Sequence, residues 1–166
     1  ITKKQVSEGE VPVVAGGIMP PYYHNISNVE GPVITISASG NAGYVNIYYK
    51  NIWASDCSYI NKTHTNFIFT FYVFLKIKQE TLYHMRHGAV QQHINPSDIK
   101  RIELPKIPNS LLKEFEEIVT PFFQKIYFNK KENKLLSNLR DTLLPELISG
   151  ELQIPHVEKF LEELGI

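Results

Sequence analysis

Three histidines are the first residues in this sequence whose spacing could support chemistry. His84 and His87 are three positions apart, so they would share one face of a helix, and His93 follows closely. A two-histidine metal site needs a further carboxylate or histidine within reach, and no such pattern stands nearby. Hydrogen-bonding histidines are therefore favoured over a metal centre, and we expect no metal.

Nucleophilic and phosphate-binding chemistry has less support. Cys57 follows Asp56, whose negative charge would raise the thiol pKa instead of activating the thiol. The glycine-rich run 39–43 joins two predicted strands and lacks the lysine and the following helix that a P-loop requires. Met19-Pro20-Pro21-Tyr22 is similar to the Asn/Asp-Pro-Pro-Tyr motif of DNA adenine methyltransferases, but Met cannot accept the hydrogen bond that the first residue of that motif accepts. We therefore predict no catalytic residues.

The composition is typical of a soluble globular domain with an appendage. Of the 166 residues, 43% are hydrophobic and 20% are charged. The single cysteine excludes an internal disulfide and suits a reducing cytoplasm. The apolar run 66–77 is too short to cross a bilayer, so no membrane association is expected. The net charge is zero, with +2 in residues 1–100 and −2 in the remainder, so charge alone does not indicate nucleic acid.

Residues 1–108 are predicted to be rich in strands and loops. Val11–Ala15 reads as a short strand that glycines end. Pro32–Ser37 and Tyr44–Tyr49 read as a hairpin, because the Asn and Gly residues between them supply the positive φ that such a loop needs. The other expectations are a bulged strand at Ile52–Ile60, a buried helix from Asn66 that Gly88 ends, an extended segment at Ala89–Ile94, a turn at Asn95–Asp98, and a last strand at Ile99–Leu104.

The stretch from about Ser110 to Ser149 carries a helical pattern. Its apolar residues recur at intervals of three and four, which places them on one helix face. Thr120 is a fair N-cap and Pro121 is tolerated in a first turn, so we expect a short helix, a kink, and a second helix on the order of 36 Å long. A small domain needs no such helix, so we predict a spacer that packs against another long helix. The predicted interface residues are Phe115, Ile118, Phe122, Ile126, Leu136, Leu139, Leu143 and Leu147.

Hydrogen-bonding side chains are concentrated on the predicted loops, which favours binding over catalysis. Asn, Gln and Arg can make paired hydrogen bonds to base edges, while Lys, Ser and Tyr satisfy phosphates. Loops are also polar in proteins that bind nothing, so this pattern alone does not decide for DNA. We predict that the loops from Tyr22 to Asn25, Ser37 to Tyr44 and Arg86 to Gln92 face DNA, and that Lys50 or Lys62 holds phosphate. The candidate DNA-binding residues are Tyr22, Tyr23, His24, Asn25, Ser37, Ser39, Asn41, Tyr44, Lys50, Lys62, Arg86, His87, Gln91 and Gln92.

Several stretches, in the same order, resemble the target recognition domain of the DNA specificity subunit of type I restriction-modification systems. They are 9–17, 34–45, 52–57, 88–94 with 102–105, and 139–152, the last of which is similar to the end of that family's spacer helix. The resemblance implies an α+β fold with a β-rich DNA target recognition domain at 1–108, a spacer helix at 109–150 that packs as an antiparallel coiled coil, and a tail at 151–166 with a short helix from His156 to Leu164. The segment that usually opens the domain is missing and the first residue is Ile, so we expect a fragment with a truncated N-terminal edge.

The resemblance implies a non-catalytic, cytoplasmic subunit that reads one half of a split site in double-stranded DNA. A second recognition domain, or a second copy, would pair through the long helix. Methyltransferase subunits would carry S-adenosylmethionine and motor-nuclease subunits would carry ATP and Mg²⁺, so no cofactor is expected in this chain. Two alternatives stay open: the recognition domain of a fused restriction-methyltransferase enzyme, and a protein-interaction domain that dimerises through its helix.

Overall fold

The computed structural model describes residues 3–151 and Gly165. Its contacts divide the chain into two compact units, the first ending at Phe123 and the second beginning at Gln124. The predicted helix at His156–Leu164 lies outside the described residues.

The described residues form six strands and four helices after a 3-10 turn at Lys3–Gln5. The strands are Val11–Val14 (β1), Tyr22–His24 (β2), Val33–Ser37 (β3), Val45–Tyr48 (β4), Trp53–Ala54 (β5) and Cys57–Asn61 (β6). The helices are Ile68–Ile77 (α1), Gln79–His84 (α2), Pro96–Ile99 (α3) and Asn109–Ser149 (α4).

The strands form two three-stranded sheets in the first unit. One sheet has the order β2-β1-β5 and the other has the order β4-β3-β6. The β3–β4 hairpin is confirmed, with Ile36 opposite Val45 and Val33 opposite Tyr48. All five residues of β3 are buried, because it is the central strand of its sheet and its β-branched side chains fill both faces.

The prediction of one bulged strand at Ile52–Ile60 is wrong, because the segment is divided between the two sheets. The N–H of Ser55 donates to the carbonyl of Val14 (2.9 Å), while the carbonyl of Asp56 accepts from the N–H of Ala38 (3.1 Å). The chain therefore leaves the first sheet at Ser55 and joins the second at Asp56. This crossing explains the poor alternation of apolar residues across the segment.

The apolar run that starts near Asn66 is helical, as predicted, and it covers the second sheet as α1 and α2. Ile34, Ile36, Ile68 and Leu82 are at most 2% exposed in the shared core. Burial of one side chain of this size contributes about 1.5–3 kcal/mol. A smaller cluster joins the two sheets, because it contains Val14 of β1 and Val33 of β3 together with Val29 and Ile52.

The predicted strand at Ile99–Leu104 is wrong, and the segment Ala89–Ile94, predicted to be extended, bends at residues 89–91 and forms an isolated β-bridge at His93. Ile99 is the last residue of α3, and the N–H of Ile102 turns back to the carbonyl of Ile99 (3.1 Å). Asn95 precedes this short helix, and its N–H donates to the carboxylate of Asp98 (3.0 Å). That capping contact favours a helical turn over the strand that alternation suggested.

The predicted break at Thr120-Pro121 is also wrong, because α4 is continuous through both residues. The hydroxyl of Thr120 donates to the carbonyl of Glu116 inside the helix (2.6 Å), so Thr120 is not an N-cap. A proline inside a helix removes one backbone hydrogen bond and costs about 3 kcal/mol. Contacts of Glu116 and Phe123 with α1, on either side of Pro121, offset that cost.

The apolar residues of α4 differ in exposure. In the first unit, Val119 and Phe123 pack against the core, whereas Phe115, Ile118 and Phe122 are 39%, 54% and 65% exposed. In the second unit, the predicted interface residues Ile126, Leu136, Leu139 and Leu147 are exposed and Leu143 is half-buried. Within residues 3–151, no helix is both long and apolar enough to span a bilayer.

Candidate nucleic-acid interface

Three loops of the first unit meet at one end of the sheets, which we call the loop end: residues 15–21, 38–44 and 85–95. The N–H of Asn41 donates to the carbonyl of Gly16 (2.7 Å), which joins the first loop to the second. The N–H of Ile94 donates to the carbonyl of Ala38 (3.0 Å), which joins the second to the third. Two of the predicted DNA-facing segments, Ser37 to Tyr44 and Arg86 to Gln92, therefore lie side by side.

Two glycines allow the first two loops to approach so closely. A Cβ on Gly16 would lie 2.4 Å from the carbonyl oxygen of Ser39, well inside van der Waals contact. Gly40 has φ of +63°, and a Cβ there would lie 2.8 Å from the carbonyl oxygen of Gly16. The glycines that looked like a simple turn in the sequence thus permit direct backbone packing between loops.

The two serines of the second loop are used inside the protein. Ser37 is buried, and its hydroxyl donates to the carbonyl of Gly17 (3.2 Å). The hydroxyl of Ser39 donates to the carboxylate of Asp56. Both predicted DNA contacts therefore fix loop positions, whereas Asn41 stays partly exposed at the loop end.

Helices α1 and α2 fix the far side of the same loop through residues that the sequence analysis missed. The side chain of Gln79 accepts from the N–H of Val45 (3.0 Å) and donates to the carbonyl of Gly43 (2.6 Å). The ammonium of Lys76 lies 4.5 Å from the ring centroid of Tyr44, and burial lowers the pKa of Lys76. Tyr44 is consequently half-buried beneath a lysine.

The third loop is closed by a backbone bridge. His87 and His93 exchange N–H and carbonyl hydrogen bonds, each 2.8 Å long. The Nε2 atom of His87 also lies 3.2 Å from the carboxylate of buried Asp98, which Arg101 contacts as well. The N–H of Asn95, with help from His87 and Arg101, holds the pKa of Asp98 below its ordinary value. One predicted site residue, His87, is thus held in place by a carboxylate that no sequence motif indicated.

Arg86 has an arranged side chain at the start of this loop. Its guanidinium carbon lies 3.8 Å from the ring centroid of Tyr83, and its Nη1 donates to the side-chain oxygen of Gln92 (3.0 Å). Its Nε atom is buried, with no hydrogen-bond acceptor among the described residues. Gln91 and Gln92 are both exposed beside it.

Exposed apolar side chains complete the loop end. Met19 is 75% exposed in the first loop and Val90 is fully exposed in the third. Ile18 is 49% exposed beside Met19. A surface that mixes methyl groups with amides and a guanidinium matches the groups that the major groove presents.

The predicted loop at Tyr22–Asn25 is wrong, because Tyr22–His24 is strand β2, paired antiparallel with β1. Tyr22 lies beside the first loop and Tyr23 is 51% exposed. His24 is 4% exposed, and its Nδ1 accepts from the N–H of Ser7 (3.0 Å). Asn25 follows at the opposite end of the strand. The structure therefore brings Tyr22 to the loop end and buries His24 in the body of the protein.

Lys50 and Lys62 are exposed, but the structure places both of them at the other end of the second sheet. Lys50 follows β4 and Lys62 follows β6, and the strand ends at Tyr48 and Asn61 both pair with Val33, the first residue of β3. The loop end begins after Ser37, the last residue of β3. The length of β3 from Val33 to Ser37, about 13 Å at ~3.3 Å per residue, therefore separates the two lysines from the loop end. The two lysines therefore do not lie beside the other candidate residues.

Among residues 3–151, no three His, Cys, Asp or Glu side chains are grouped as metal ligands would be.

Comparison with known proteins agrees with this architecture. Residues 2–138 match the family described as the type I restriction modification DNA specificity domain. The chain belongs to this family. The family and the α+β fold class expected from the sequence are both confirmed.

Relatives of this specificity domain are longer proteins. The specificity subunit of the type I restriction enzyme MjaIX from Methanocaldococcus jannaschii is 34% identical over 99 residues, covering 60% of this chain and 22% of the relative. The HindI specificity subunit from Haemophilus influenzae is 34% identical over 65 residues, covering 39% and 14%. The crystal structure of the type I S subunit from M. genitalium superposes with a TM-score of 0.72 and 21% identity, over 98% of this chain and 43% of the other. The specificity domain therefore shares that fold and spans less than half of each relative.

Proposed function

We propose that this specificity domain recognises a DNA sequence as part of the specificity subunit of a type I restriction-modification complex, where it reads one half of a bipartite target. The observation that carries the proposal is the meeting of three loops at the loop end, in a chain of the specificity family. A single surface built from several loops can present side chains to consecutive base pairs. A rigid surface of this kind loses little entropy when it binds.

Four exposed or half-exposed side chains of the loop end are the main candidates for base contacts: Asn41, Arg86, Gln91 and Gln92. Each bidentate hydrogen bond to a base edge supplies about 1–3 kcal/mol of discrimination. Met19 and Val90 are suited to thymine methyl groups. The chain carries no net charge, so its own phosphate contacts are few and partner subunits supply much of the affinity.

The exposed apolar residues of α4 bind a second long helix in an antiparallel coiled coil. Phe122 at 65% and Leu136 at 55% exposure are unusual for a helix that stays alone in water. The second helix belongs either to another recognition domain of the parent protein or to a second copy of this chain. The helix pair then sets the distance between the two half-sites.

The chain acts without catalysis of its own and docks methyltransferase and motor-nuclease subunits. S-adenosylmethionine, ATP and Mg²⁺ belong to those subunits. This assignment is supported by the names of the relatives, which are specificity subunits. It is also consistent with the thiol of Cys57, whose pKa burial raises to about 11.

Methylome sequencing of a host that expresses the parent protein with its methyltransferase tests the proposal. We expect methylation at a bipartite motif, and we expect Gln91→Ala to relax one half of that motif alone. Lys62→Ala, at the other end of the sheet, is the matched control and should leave the motif unchanged. Random or absent methylation would contradict sequence recognition, and a change in both halves would contradict the assignment of one domain to one half.

A further inference from the structure

We propose that Tyr83, Arg86 and Gln92 form a preassembled unit that reads one guanine through its major-groove edge, with Tyr83 as the positioning residue. The inference rests on the proposed DNA recognition. It adds the base that is read, the atoms that read it and a residue that the loop sequence did not suggest.

The orientation of the Arg86 guanidinium is fixed on two sides. Tyr83 lies three residues earlier, in the last turn of α2, and its ring covers the guanidinium face at 3.8 Å. The Oε1 atom of Gln92 accepts a hydrogen bond from Nη1 at 3.0 Å. A guanidinium that a ring and an acceptor both hold is restricted in orientation, so it loses less side-chain entropy on binding than an unconstrained arginine does.

The buried Nε atom identifies the edge of the guanidinium that remains for a ligand. An N–H group that is buried without an acceptor is destabilising, so its presence needs a reason. Because Nε is covered by the protein, the side-on pairing through Nε and Nη2 is closed. The end-on edge carries one N–H of Nη1 and one of Nη2, which are parallel, and the second N–H of Nη1 serves Gln92.

Guanine offers the matching pair of acceptors. Its O6 and N7 atoms lie side by side in the major groove, and arginine pairs with both in the plane of the base. Adenine places the N6 amino group where guanine has O6, so a donor would face a donor. Phosphate oxygens can accept from the same edge, because arginine also pairs with phosphate through two N–H groups, but such a contact carries no base identity. Dependence of binding on the N7 atom of one guanine therefore distinguishes a base contact from a phosphate contact.

The surrounding loop keeps this unit in place. The backbone bridge between His87 and His93 closes the loop that joins Arg86 to Gln92. Gly88, with φ of +101°, makes the closure possible, since a Cβ there would lie 2.3 Å from the carbonyl oxygen of Gln91. Asp98 holds the side chain of His87, and thereby this end of the loop, through a contact of 3.2 Å with Nε2. The distance between Arg86 and Gln92 is therefore set before DNA arrives.

The test uses the parent complex with its methyltransferase and a series of duplexes in which each guanine of the recognised half-site is replaced in turn by 7-deazaguanine, which lacks the N7 acceptor. We expect one position at which this replacement weakens binding of the wild-type complex about 5-fold or more, but by less than the ~150-fold that loss of a whole bidentate contact can cause, because O6 still accepts one hydrogen bond. At that position Arg86→Ala should bind guanine and 7-deazaguanine equally, because alanine has no donor for N7. Tyr83→Phe should retain the preference for guanine and Tyr83→Leu should lose it. Tyr59→Leu, on strand β6, is the matched tyrosine control.

Several results would overturn the inference while leaving DNA recognition intact. One is a half-site that contains no G·C pair. Another is a half-site in which no 7-deazaguanine effect depends on Arg86. A third is an Arg86→Ala variant that weakens binding to all sequences equally and lowers the salt dependence, since that is the behaviour of a phosphate contact. A wild-type complex that shows no sequence preference would overturn both this inference and the proposed function.

Discussion

Glu116 on α4 caps the N-terminus of α1 by accepting two hydrogen bonds from Thr70, a residue 46 positions earlier in the chain. The backbone N–H and the hydroxyl of Thr70 donate to Oε2 at 2.7 and 2.6 Å, and the N–H of Phe69 donates to Oε1 at 3.0 Å. The N-cap residue of α1 is Phe67, which has no side-chain acceptor. The helix therefore takes its cap, and the negative charge that suits its N-terminus, from a distant helix.

Removal of this cap should destabilise the domain. Glu116→Ala leaves two N–H groups and a hydroxyl without their charged acceptor, and charge-assisted hydrogen bonds of this kind contribute about 1.5–3 kcal/mol. We expect a loss of that size in the free energy of unfolding, measured by urea denaturation. Glu117→Ala is the control, because Glu117 is exposed and reaches only Lys113, at 3.8 Å. Equal effects of the two substitutions would contradict the capping role.

The adjacent residues Phe122 and Phe123 should respond differently to alanine. Phe123 stacks on Phe69 with ring centroids 4.8 Å apart and meets Tyr72 edge-on at 5.5 Å, so Phe123→Ala should cost about 2–4 kcal/mol of stability. Phe122 is 65% exposed, so Phe122→Ala should leave the stability of the monomer within about 0.5 kcal/mol. Phe122→Ala should instead weaken association through α4, measured by sedimentation. Association that is unchanged by Phe122→Ala would exclude that side chain from the proposed helix pair.

Gly16 and Gly17 should also respond differently to alanine. A Cβ on Gly16 would lie 2.4 Å from the backbone of Ser39, whereas a Cβ on Gly17 meets nothing closer than 3.4 Å. Gly16→Ala should separate the first two loops and lower both the melting temperature and sequence-specific DNA binding, while Gly17→Ala should change neither. Differential scanning fluorimetry and DNA titration of the two variants measure this contrast. Retention of full DNA binding by a folded Gly16→Ala variant would show that the loop junction is not needed.

Asp98 should make stability depend on pH in the acid range. Its pKa is held below the ordinary carboxyl value, chiefly by the N–H of Asn95, so the unfolded chain takes up its proton first. The stabilisation is therefore present above the unfolded pKa of about 3.9 and is lost as pH falls through the lower folded value. The difference in unfolding free energy between wild type and Asp98→Asn should shrink as pH falls from 6 to about 3. Asp141→Asn, at an exposed carboxylate beside Arg140, is the control substitution.

Cys57 should be unreactive at neutral pH. Burial is the main cause that raises the pKa of its thiol to about 11, and the charge of Asp56 adds to the effect. The thiolate is the reactive form, so alkylation by iodoacetamide should be slow at pH 8 and should accelerate as the pH approaches 11. The same chain unfolded in urea is the control, and it should react as an ordinary thiol. Rapid alkylation of the folded protein at pH 8 would contradict the burial of this side chain.

The candidate site was predictable where neighbouring residues in the sequence determine neighbouring positions in space. The hairpin loop at 38–44 follows from its local turn residues. The distance of Lys50 from the loop end could not be predicted, because it depends on strand register, which no single segment records. The burial of His24 could not be predicted either, because a short strand and a loop of polar residues look alike until the partner strand is known.

By itself, the sequence determined the hairpin, the helix over the apolar run from Asn66, and the long C-terminal helix with its exposed apolar residues, because each depends on a periodicity or a turn that is local. The tertiary structure alone decided that the chain crosses between sheets at Ser55 and Asp56 and that α4 continues through Pro121. In each case, groups distant in the chain supply hydrogen bonds and contacts that outweigh local preference. Periodicity in the sequence cannot register those partners, because they become neighbours only when the chain is folded.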